Sequence, residues 1–353
     1  MTTAARSTSP TAGSPGAPLA LRKPYLLFVG DISYKPHAKT AFGIRDWAPD
    51  DCAAQISLPG SGLDLGLPEC DPATAAREHG AKTLVLGAAA PGGRIPDHWR
   101  PTLLAAIQAG MDVVAGMHTR LSDIPELAAA AQAAGVQLID VRVPPVGLSV
   151  ATGRKRSGKR LHTVGTDCAL GKKYTALTLA AALKARGIDA DFRATGQTGI
   201  LIAGGGIPID SVVADFVAGA AEALSPDADP DHWDVIEGQG ALLHPSYAAV
   251  TLGLLHGSQP DALVICHDPT RTHIVTCPNA AIPPLDEIAR RYLEAARLTN
   301  PDVRIVGVSL NTSGLSDTAA ETAMSEASAL LGVPCFDPMK TPADAVIDRL
   351  LAA

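Results

Sequence analysis

The chain has 353 residues, which is more than one hydrophobic core usually serves, so its length favours two domains. It carries 29 basic and 36 acidic side chains, and the net charge of -7 argues against nucleic acid as a partner. No run reaches the roughly 18 consecutive apolar residues that a membrane helix needs, so we expect no membrane partner.

The six cysteines show no CxxC spacing and no clustering with histidine. We therefore predict neither a metal site nor a disulfide framework, and we expect a reducing, cytoplasmic location. The first twenty residues are rich in Ser, Thr, Ala, Pro and Gly, and this composition predicts a disordered leader over residues 1–23. A signal peptide is the alternative, but the apolar run APLAL stops at Arg22 and Lys23.

Residues 24–145 alternate short apolar runs with helical segments, which is typical of a parallel sheet. The predicted strands are YLLFVGD, TLVLGA, MDVVAGM and VQLIDV, and the predicted helices are WRPTLLAAIQAG and DIPELAAAAQAAG. This pattern predicts a Rossmann-like N-terminal domain. The stretch RVPPVGLSVATGRKRSGKR then interrupts the pattern, and its two prolines and basic side chains predict a solvated basic linker over residues 146–160.

Residues 161–353 alternate strands and helices again. The predicted strands are LHTVGTD, DVIEGQG, ALVICHD and VRIVGVSLNT, and the longest predicted helices are KKYTALTLAAALKARG, IDSVVADFVAGAAEAL, LDEIARRYLEAARL and TAAETAMSEASALLG. This part is predicted to be a P-loop NTPase-like domain with a mostly parallel sheet. The whole chain is thus assigned to the α/β class.

The segment VGTDCALGKKYTAL joins a predicted strand to a predicted helix. Such a turn aims backbone N–H groups and the positive end of the helix dipole at an anion, and Lys172 adds an ammonium group. In the usual pattern G-x-x-x-x-G-K-[ST] a hydroxyl follows the lysine and holds magnesium, whereas here Lys173 follows it. We predict that the loop binds a pyrophosphate without that magnesium contact. The predicted cofactor-binding residues of the loop are Gly165, Thr166, Asp167, Cys168, Ala169, Leu170, Gly171, Lys172, Lys173 and Tyr174.

GTDCALGKK resembles the loop of dethiobiotin synthetase and its relatives. Together with ATGQTGILIAGGGIPIDSVVADFVAGAAE, DVIEGQGALLHPSYAAVTLGLLHGSQPDALVICHDP and GVSLNT, it resembles more closely a two-domain family long labelled as of unknown function. Characterised members of that family are D-glutamate N-acetyltransferases, and the resemblance extends from about residue 24 to the end of the chain. It implies transfer of an acetyl group from acetyl-CoA to the amino group of a small acidic amino acid, with D-glutamate as the expected acceptor.

Coenzyme A carries a pyrophosphate and a 3'-phosphate, so a loop that binds phosphates without hydrolysing them suits this donor. In such a transferase Glu237, at the end of DVIEGQG, is a candidate to take the proton of the attacking amine, and His244 is the alternative base. Ser246 and Tyr247 are candidates for the acceptor pocket, and Asn311 occupies the place where related proteins contact adenine.

An acceptor with two carboxylates needs cations and hydrogen-bond donors. The motif HAKTAFGIRDW, expected as a loop after the first strand, and the glycine-rich stretch RATGQTGILIAGGG supply them. The candidates are Lys39, Thr40, Arg45, Asp46, Arg193, Gln197 and Thr198. A surface ion pair between Arg45 and Asp46, and an exposed Arg193, are the alternatives.

Two other functions share the same loop. One is an ATP-dependent amide ligase or kinase that activates a carboxylate with ATP and magnesium, as in the dethiobiotin synthetase relatives. The other is a non-catalytic nucleotide-sensing module. For the transferase we expect a small-molecule substrate and a homo-oligomer.

Overall fold

A computed structural model describes Leu19 and residues 21–352. The chain divides into two compact units: the first comprises residues up to Pro144 together with Gln197–Pro208, and the second comprises Pro145–Gly196 and the chain from Ile209 onwards. The predicted P-loop domain, residues 161–353, had included residues 197–208, which belong to the first unit. Among the residues that the structure describes, no helix combines the length and the apolar character that a bilayer crossing requires.

Most of the predicted leader lies outside the described residues. Its last residues are described and are attached to the first unit, because Arg22 forms an ion pair with the buried carboxylate of Asp112 and Lys23 forms one with Asp51. Arg22 and Lys23 are therefore parts of the first unit, in contrast to the predicted boundary of the leader.

The first unit is built on a five-stranded parallel sheet in the order β2-β1-β3-β4-β5. Its strands are β1 (Tyr25–Gly30), β2 (Cys52–Ser57), β3 (Thr83–Leu86), β4 (Asp112–Ala115) and β5 (Leu138–Asp140). Its helices are α1 (Lys39–Trp47), α2 (Pro72–Glu78), α3 (Arg100–Gln108), α4 (Pro125–Ala134) and, numbered in chain order, α6 (Gln197–Ala203). Strand order reverses between β1 and β3, where ligands bind in open sheets of this kind.

Helix α1 corrects the expectation that HAKTAFGIRDW is a loop. Ala41, Phe42 and Ile44 are buried, so the segment packs into the first unit as a helix and is not an exposed loop. The amide of Ala41 donates to the carbonyl of Gly87, 3.0 Å away, and a Cβ at Gly87 would lie 2.4 Å from the Cβ of Ala41. Glycine after β3 is thus required for α1 to start at the sheet edge.

The second unit contains a six-stranded parallel sheet in the order β13-β12-β9-β6-β8-β7 and a separate antiparallel hairpin. Its strands are β6 (Lys159–Gly165), β7 (Ala190–Arg193), β8 (Trp233–Ile236), β9 (Ala262–His267), β12 (Arg304–Leu310) and β13 (Cys335–Phe336), and the hairpin is β10 (His273–Ile274) with β11 (Cys277–Ala281). Its helices are α5 (Lys172–Ala185), α7 (Val217–Leu224), α8 (Ala248–Ser258), α9 (Leu285–Ala296), α10 (Asp317–Leu331) and α11 (Asp344–Leu351).

Both faces of this sheet are buried, which explains why its strands are almost continuously apolar. Along β9, Ala262 and Val264 join one core with residues of α5 and α11, while Leu263 and Ile265 join another with residues of α8 and α9. The P-loop and the ends of its neighbouring strands therefore sit on a rigid support.

Most of the predicted basic linker, residues 146–160, is exposed or half-buried, but two of its arginines, Arg156 and, within β6, Arg160, are not solvated. Arg156 and Arg160 are 6% and 1% exposed. Arg156 donates to the carbonyl oxygens of Ser225 (2.6 Å) and Gly257 (2.8 Å), and Arg160 donates to the Ser225 hydroxyl (2.7 Å). Burial lowers the pKa of Arg156 to about 10. The positive charge of Arg156 and Arg160 favoured a solvent-exposed position. Carbonyl acceptors inside the second unit satisfy both guanidinium groups instead.

Candidate active site

The phosphate loop connects β6 to α5, as predicted. Helix α5 begins at Lys172, and Gly171 precedes it with a φ of 105°, a backbone conformation that favours glycine. Among the described residues no side chain caps this helix start. The first N–H groups of a helix lack intrahelical acceptors, so this end of α5 is suited to an anion.

Lys172 lies inside the loop. Its ammonium group is buried and donates to the main-chain oxygen of Asp167 at 2.8 Å. A Cβ at Gly165 would lie 3.1 Å from its Nζ, and one at Gly238 would lie 3.0 Å from its Cδ. Burial lowers the pKa of Lys172. The two glycines therefore make room for a desolvated lysine whose charge an anionic ligand would stabilise.

The hydroxyl groups near the loop are bonded within the protein. Thr175 is buried, and its Oγ1 lies 2.7 Å from Ser309 Oγ and 3.2 Å from the carbonyl oxygen of Gly171. Thr166 Oγ1 lies 2.9 Å from Nδ1 of His267. Because Lys173 takes the place of the usual hydroxyl, the loop offers phosphate ligands without the customary magnesium ligand.

Asp167 was predicted to bind the cofactor, but its carboxylate accepts hydrogen bonds from other residues of the protein. It is 1% exposed; Oδ2 accepts from Arg271 (3.0 Å) and from the amide of Val275 (3.1 Å), and Oδ1 accepts from the amide of Cys168 (2.6 Å). These bonds connect the phosphate loop with the segment that leads into the β10–β11 hairpin. We assign Asp167 to the support of the loop.

The remaining loop residues differ in exposure. Leu170 is buried, Cys168 is half-buried and Ala169 is exposed with a φ of 53°. The ammonium group of Lys173 lies 4.7 Å from the centre of the Tyr174 ring, within the range of a cation–π contact.

Glu237 follows β8, which pairs with β6, so it lies in the sheet that carries the phosphate loop. It is 4% exposed, and its Oε2 accepts from the amides of Thr195 (2.9 Å) and Gly196 (3.0 Å). The Thr195 hydroxyl donates to the main-chain oxygen of Glu237 at 2.7 Å. The two amide donors hold the carboxylate in one orientation.

Gly238 and Gly240, which flank Gln239 after Glu237, allow close contacts within the protein. A Cβ at Gly238 would lie 1.8 Å from the carbonyl oxygen of Thr163, and a Cβ at Gly240 would lie 2.4 Å from that of Tyr247. Gly240 also has a φ of 65°. Both glycines of the EGQG motif are therefore explained by packing.

His244 was predicted as an alternative base, and its side chain is buried, with 1% exposure. Its Nδ1 accepts from the amide of Ser246 at 3.0 Å, so the ring proton of the neutral form lies on Nε2. Nε2 faces the hydroxyl of Thr276 at 3.2 Å and Oδ1 of Asp167 at 3.8 Å. The only ring lone pair is thus engaged, and this geometry argues against the base role.

Asp167, Cys168 and His244 place one potential metal-ligand atom each within 4.8 Å of one another. In the tautomer set by Ser246, the histidine nitrogen that faces Asp167 carries a proton. A protonated nitrogen cannot coordinate a metal. The donor set therefore does not fit a metal ion in this arrangement.

Other predicted residues of the second unit have protein partners. Arg193 is ion-paired with the buried Asp234 (2.5 Å) and with Asp191 (3.4 Å), which argues against a role in binding the acceptor's carboxylate. Tyr247 is 47% exposed and its ring centre lies 4.6 Å from that of His244. The half-buried Asn311 accepts from the amide of Ser313 at 3.2 Å.

In the first unit the structure brings together two predicted residues that are 158 positions apart. Thr40, at the start of α1, and Thr198, at the start of α6, are both buried, and their hydroxyl oxygens are 2.8 Å apart. Gln197 lies beside Thr198, and its Oε1 is buried with no hydrogen-bond partner within the described part of the chain. The buried acceptor of Gln197 is suited to an N–H donor from a ligand.

The other predicted residues of the first unit are placed differently. Lys39 is exposed at the start of α1. The guanidinium group of Arg45 pairs with Asp46 and donates to the carbonyl oxygen of Leu65 at 3.3 Å. Arg45 and Asp46 thus form a local ion pair near the end of α1, the alternative that the sequence left open.

Residues outside the phosphate loop that hydrogen-bond to it were not predicted from the sequence. Tyr292 on α9 is buried; its hydroxyl donates to the carbonyl of Gly165 at 2.7 Å and accepts from the amide of Leu242 at 2.9 Å. The signal was a tyrosine among the apolar positions of an amphipathic helix, because a buried phenol needs a polar partner. Val275, whose main-chain amide donates to Asp167, carries no comparable signal in the sequence.

Comparison with known proteins agrees with the two predicted domain types. A P-loop domain of unknown function, DUF1611_C, matches residues 149–347, and the Rossmann-like domain DUF1611_N matches residues 55–144. The crystal structure of a DUF1611 family protein from Anabaena variabilis is 36% identical, covers 94% of this chain and 99% of that chain, and gives a TM-score of 0.82.

Two curated relatives are similar over nearly their whole length. The D-glutamate N-acetyltransferase of Tritonibacter scottomollicae is 50% identical over 332 residues, which is 94% of this chain and 99% of the relative. The D-glutamate N-acetyltransferase of Pseudoalteromonas sp is 47% identical over 332 residues, which is 94% of this chain and 100% of the relative. The predicted fold class and the predicted family are thereby confirmed, and the chain belongs to the two-domain DUF1611 family together with these D-glutamate N-acetyltransferases.

Proposed function

We propose that this protein is an N-acetyltransferase that moves the acetyl group of acetyl-CoA to the amino group of D-glutamate. The observation that carries the proposal is the similarity, at 50% and 47% identity over 94% of the chain, to two D-glutamate N-acetyltransferases. An N-acetyltransferase requires an acyl donor, and acetyl-CoA is the donor whose phosphates suit the loop.

The donor is proposed to bind to the second unit. The start of α5 offers amides and a buried ammonium group, and these are suited to the pyrophosphate of coenzyme A. Lys172 and the loop amides would hold this group, Lys173 would add a second cation, and Asn311 would lie near the adenine. Since Lys173 replaces the usual hydroxyl and Thr175 is bonded to Ser309, phosphate binding without hydrolysis is the expected use of the loop.

The acceptor is proposed to bind to the first unit through Thr40, Gln197 and Thr198. The hydroxyl pair lies at the start of α1, after the strand where the sheet order reverses. Hydroxyl groups and first-turn amides are donors for a carboxylate, and the buried Oε1 of Gln197 is an acceptor for an N–H group. Lys39, exposed at the same helix start, is proposed to attract the second carboxylate.

The proposed reaction is direct transfer. The neutral amine of D-glutamate attacks the thioester carbonyl carbon, a C–N bond forms, and the C–S bond breaks to release coenzyme A as its thiol once the amine proton has been passed on. No cysteine or serine in the chain occupies a recognisable nucleophile motif, so we propose no acetyl-enzyme intermediate. Glu237 is the proposed proton acceptor because the lone pair of His244 is engaged by Ser246.

An assay with purified protein tests this function. Acetyl-CoA or ATP with magnesium is supplied together with D- and L-amino acids, and the products are identified by mass spectrometry. We expect D-glutamate to gain one acetyl mass with stoichiometric release of free thiol and no release of phosphate. Substrate-dependent ADP or phosphate, without acetylated product, would instead indicate the ATP-dependent ligase or kinase.

We further propose that the enzyme is cytoplasmic and forms a homo-oligomer. All six cysteines are free thiols, which suits a reducing compartment. Subcellular fractionation of the native host and light scattering of the purified protein test these two points.

A further inference from the structure

The phosphate loop contains a backbone conformation that its own sequence does not favour. Ala169 has a φ of 53°, in the left-handed region that residues with a Cβ rarely adopt. Such a residue persists only where the surroundings hold it in place. The loop therefore needs an external support at residues 167–169.

Arg271, in the segment between β9 and the β10–β11 hairpin, supplies that support. Its Nη1 donates to the carbonyl oxygen of Cys168 at 2.8 Å and to Oδ2 of Asp167 at 3.0 Å, and its Nη2 donates to the carbonyl oxygen of Ala169 at 3.1 Å. One planar guanidinium group thus contacts three consecutive loop residues, which the single point charge of a lysine cannot do.

The guanidinium group is itself held from the other side. Its Nε lies 3.2 Å from a carboxylate oxygen of Asp268, and the amide of Arg271 donates to the carbonyl of Asp268 at 3.0 Å. Asp268 directly follows β9, the strand that pairs with β6. Arg271 therefore connects the loop to the rigid edge of the sheet, and its side chain is only 20% exposed.

We infer that Arg271 is a positioning residue that holds Asp167, Cys168 and Ala169 in the conformation that binds the diphosphate of the donor. The inference rests on the proposed function for the identity of that donor. Arg271 acts through the loop, so its loss weakens donor binding and leaves acceptor binding and the chemical step largely intact.

Steady-state kinetics with Arg271→Gln and Arg271→Lys provide the first test. Arg271→Gln removes several charge-assisted hydrogen bonds, and we expect the KM for acetyl-CoA to rise about 10- to 100-fold, with kcat and the KM for D-glutamate changed less than about threefold. Arg271→Lys keeps the charge but reaches fewer acceptors, so its KM for acetyl-CoA should fall between those of the wild type and Arg271→Gln.

Arg186→Gln is the matched control. Arg186 lies at the end of α5, pairs with Asp344 and Asp348, and its side chain is 28% exposed, so this variant loses comparable ion pairs away from the loop. We expect its kinetic constants to match the wild type. If Arg271→Gln leaves the KM for acetyl-CoA unchanged, or raises both KM values equally, the inference is overturned.

Hydrogen exchange gives a readout that needs no donor. Amides of residues 166–171 should exchange faster in Arg271→Gln than in the wild type and in Arg186→Gln, because the loop loses its external support. Equal exchange in all three proteins would overturn the inference about Arg271. Faster exchange in Arg271→Gln would show that Arg271 holds the loop. If the wild type also failed to bind acetyl-CoA in calorimetry, the role of Arg271 would stand and the proposed function would be refuted.

Discussion

The ammonium group of Lys172 lies 2.8 Å from the main-chain oxygen of Asp167 and donates to it. The carboxylate of the same aspartate is turned to Arg271 and Val275 instead. Lys172 is therefore a buried cation bonded to a neutral carbonyl, and burial is the main reason that its pKa is lowered. A phosphate ligand would add negative charge beside this lysine and would raise its pKa.

This arrangement predicts a pH dependence of donor binding. The lowered pKa means that Lys172 of the free enzyme loses its proton at a lower pH than an exposed lysine does, and bound phosphates raise the pKa again. We expect kcat/KM for acetyl-CoA to fall as pH rises through the free-enzyme pKa, while kcat falls only at higher pH. The profile should be measured from pH 6 to 10.5, and a limb that persists in Lys172→Gln would show that another group titrates.

Lys173→Ser restores the hydroxyl of the usual phosphate-loop pattern and removes one cation. We expect the KM for acetyl-CoA to rise about three- to tenfold and to become less sensitive to salt, because one phosphate contact by a charged group is lost. ATP hydrolysis should not appear. Lys184→Ser, which removes an exposed cation from the end of the same helix, is the control and should leave the KM unchanged.

Glu237→Gln should lower kcat by about 100-fold or more if Glu237 takes the amine proton. The amide oxygen of glutamine still accepts from Thr195 and Gly196, so the fold should persist. Thermal unfolding within a few degrees of the wild type, together with the loss of kcat, is the expected pair of results. A fully active variant would remove Glu237 from the chemistry.

The variant His244→Gln distinguishes two possible roles of His244, hydrogen-bond donor and general base. The glutamine amide can replace the N–H group that Nε2 directs at Thr276, but it cannot take up a proton. We expect kcat to stay within about tenfold of the wild type, well short of the loss of about 100-fold or more for a missing base. His244→Ala, which removes the donor too, should lower stability further in a urea titration.

Gly238→Ala tests the close packing of strand ends beneath the loop. The new Cβ would meet the carbonyl oxygen of Thr163 at 1.8 Å, so backbone must shift, and we expect the free energy of unfolding to fall by at least about 2 kcal/mol. Gly314→Ala, whose nearest neighbour would be a Thr270 methyl at 3.3 Å, is the control. Equal stability of the two variants in a denaturant titration would contradict the packing argument.

The sequence predicts the two domain types and most central strands because buried parallel strands are apolar throughout and the intervening helices have clear boundaries. The phosphate loop is predicted because Gly171, Lys172 and the following helix are adjacent in the sequence. Strand β7 was missed, since its residues Asp191 and Arg193 are charged and its pairing with β8 is a tertiary property. The buried Arg156 and Arg160 were misjudged because their acceptors come from residues about 65 to 100 positions away.

Site residues were less predictable for the same reason. The partner that engages the lone pair of His244 is a main-chain amide, and the partners of Asp167 come from positions 271 and 275. Main-chain donors have no sequence signature. Thr40 and Thr198 were each selected from a motif, whereas their mutual contact depends on α6 belonging to the first unit.

The first unit is discontinuous along the chain, because residues 197–208 belong to it although they lie within the sequence of the second unit. A fragment that stops at Pro144 would lack α6 and would expose the face of α1 on which Thr198 packs. Strand β7 of the second unit lies directly before residues 197–208 of the first unit. No single peptide bond therefore separates the polypeptide into two complete folding units. Cleavage in the exposed segment that follows Pro145, for example by trypsin after Arg154, should therefore leave the two cleavage products associated. Two domains that are each continuous in sequence would instead separate.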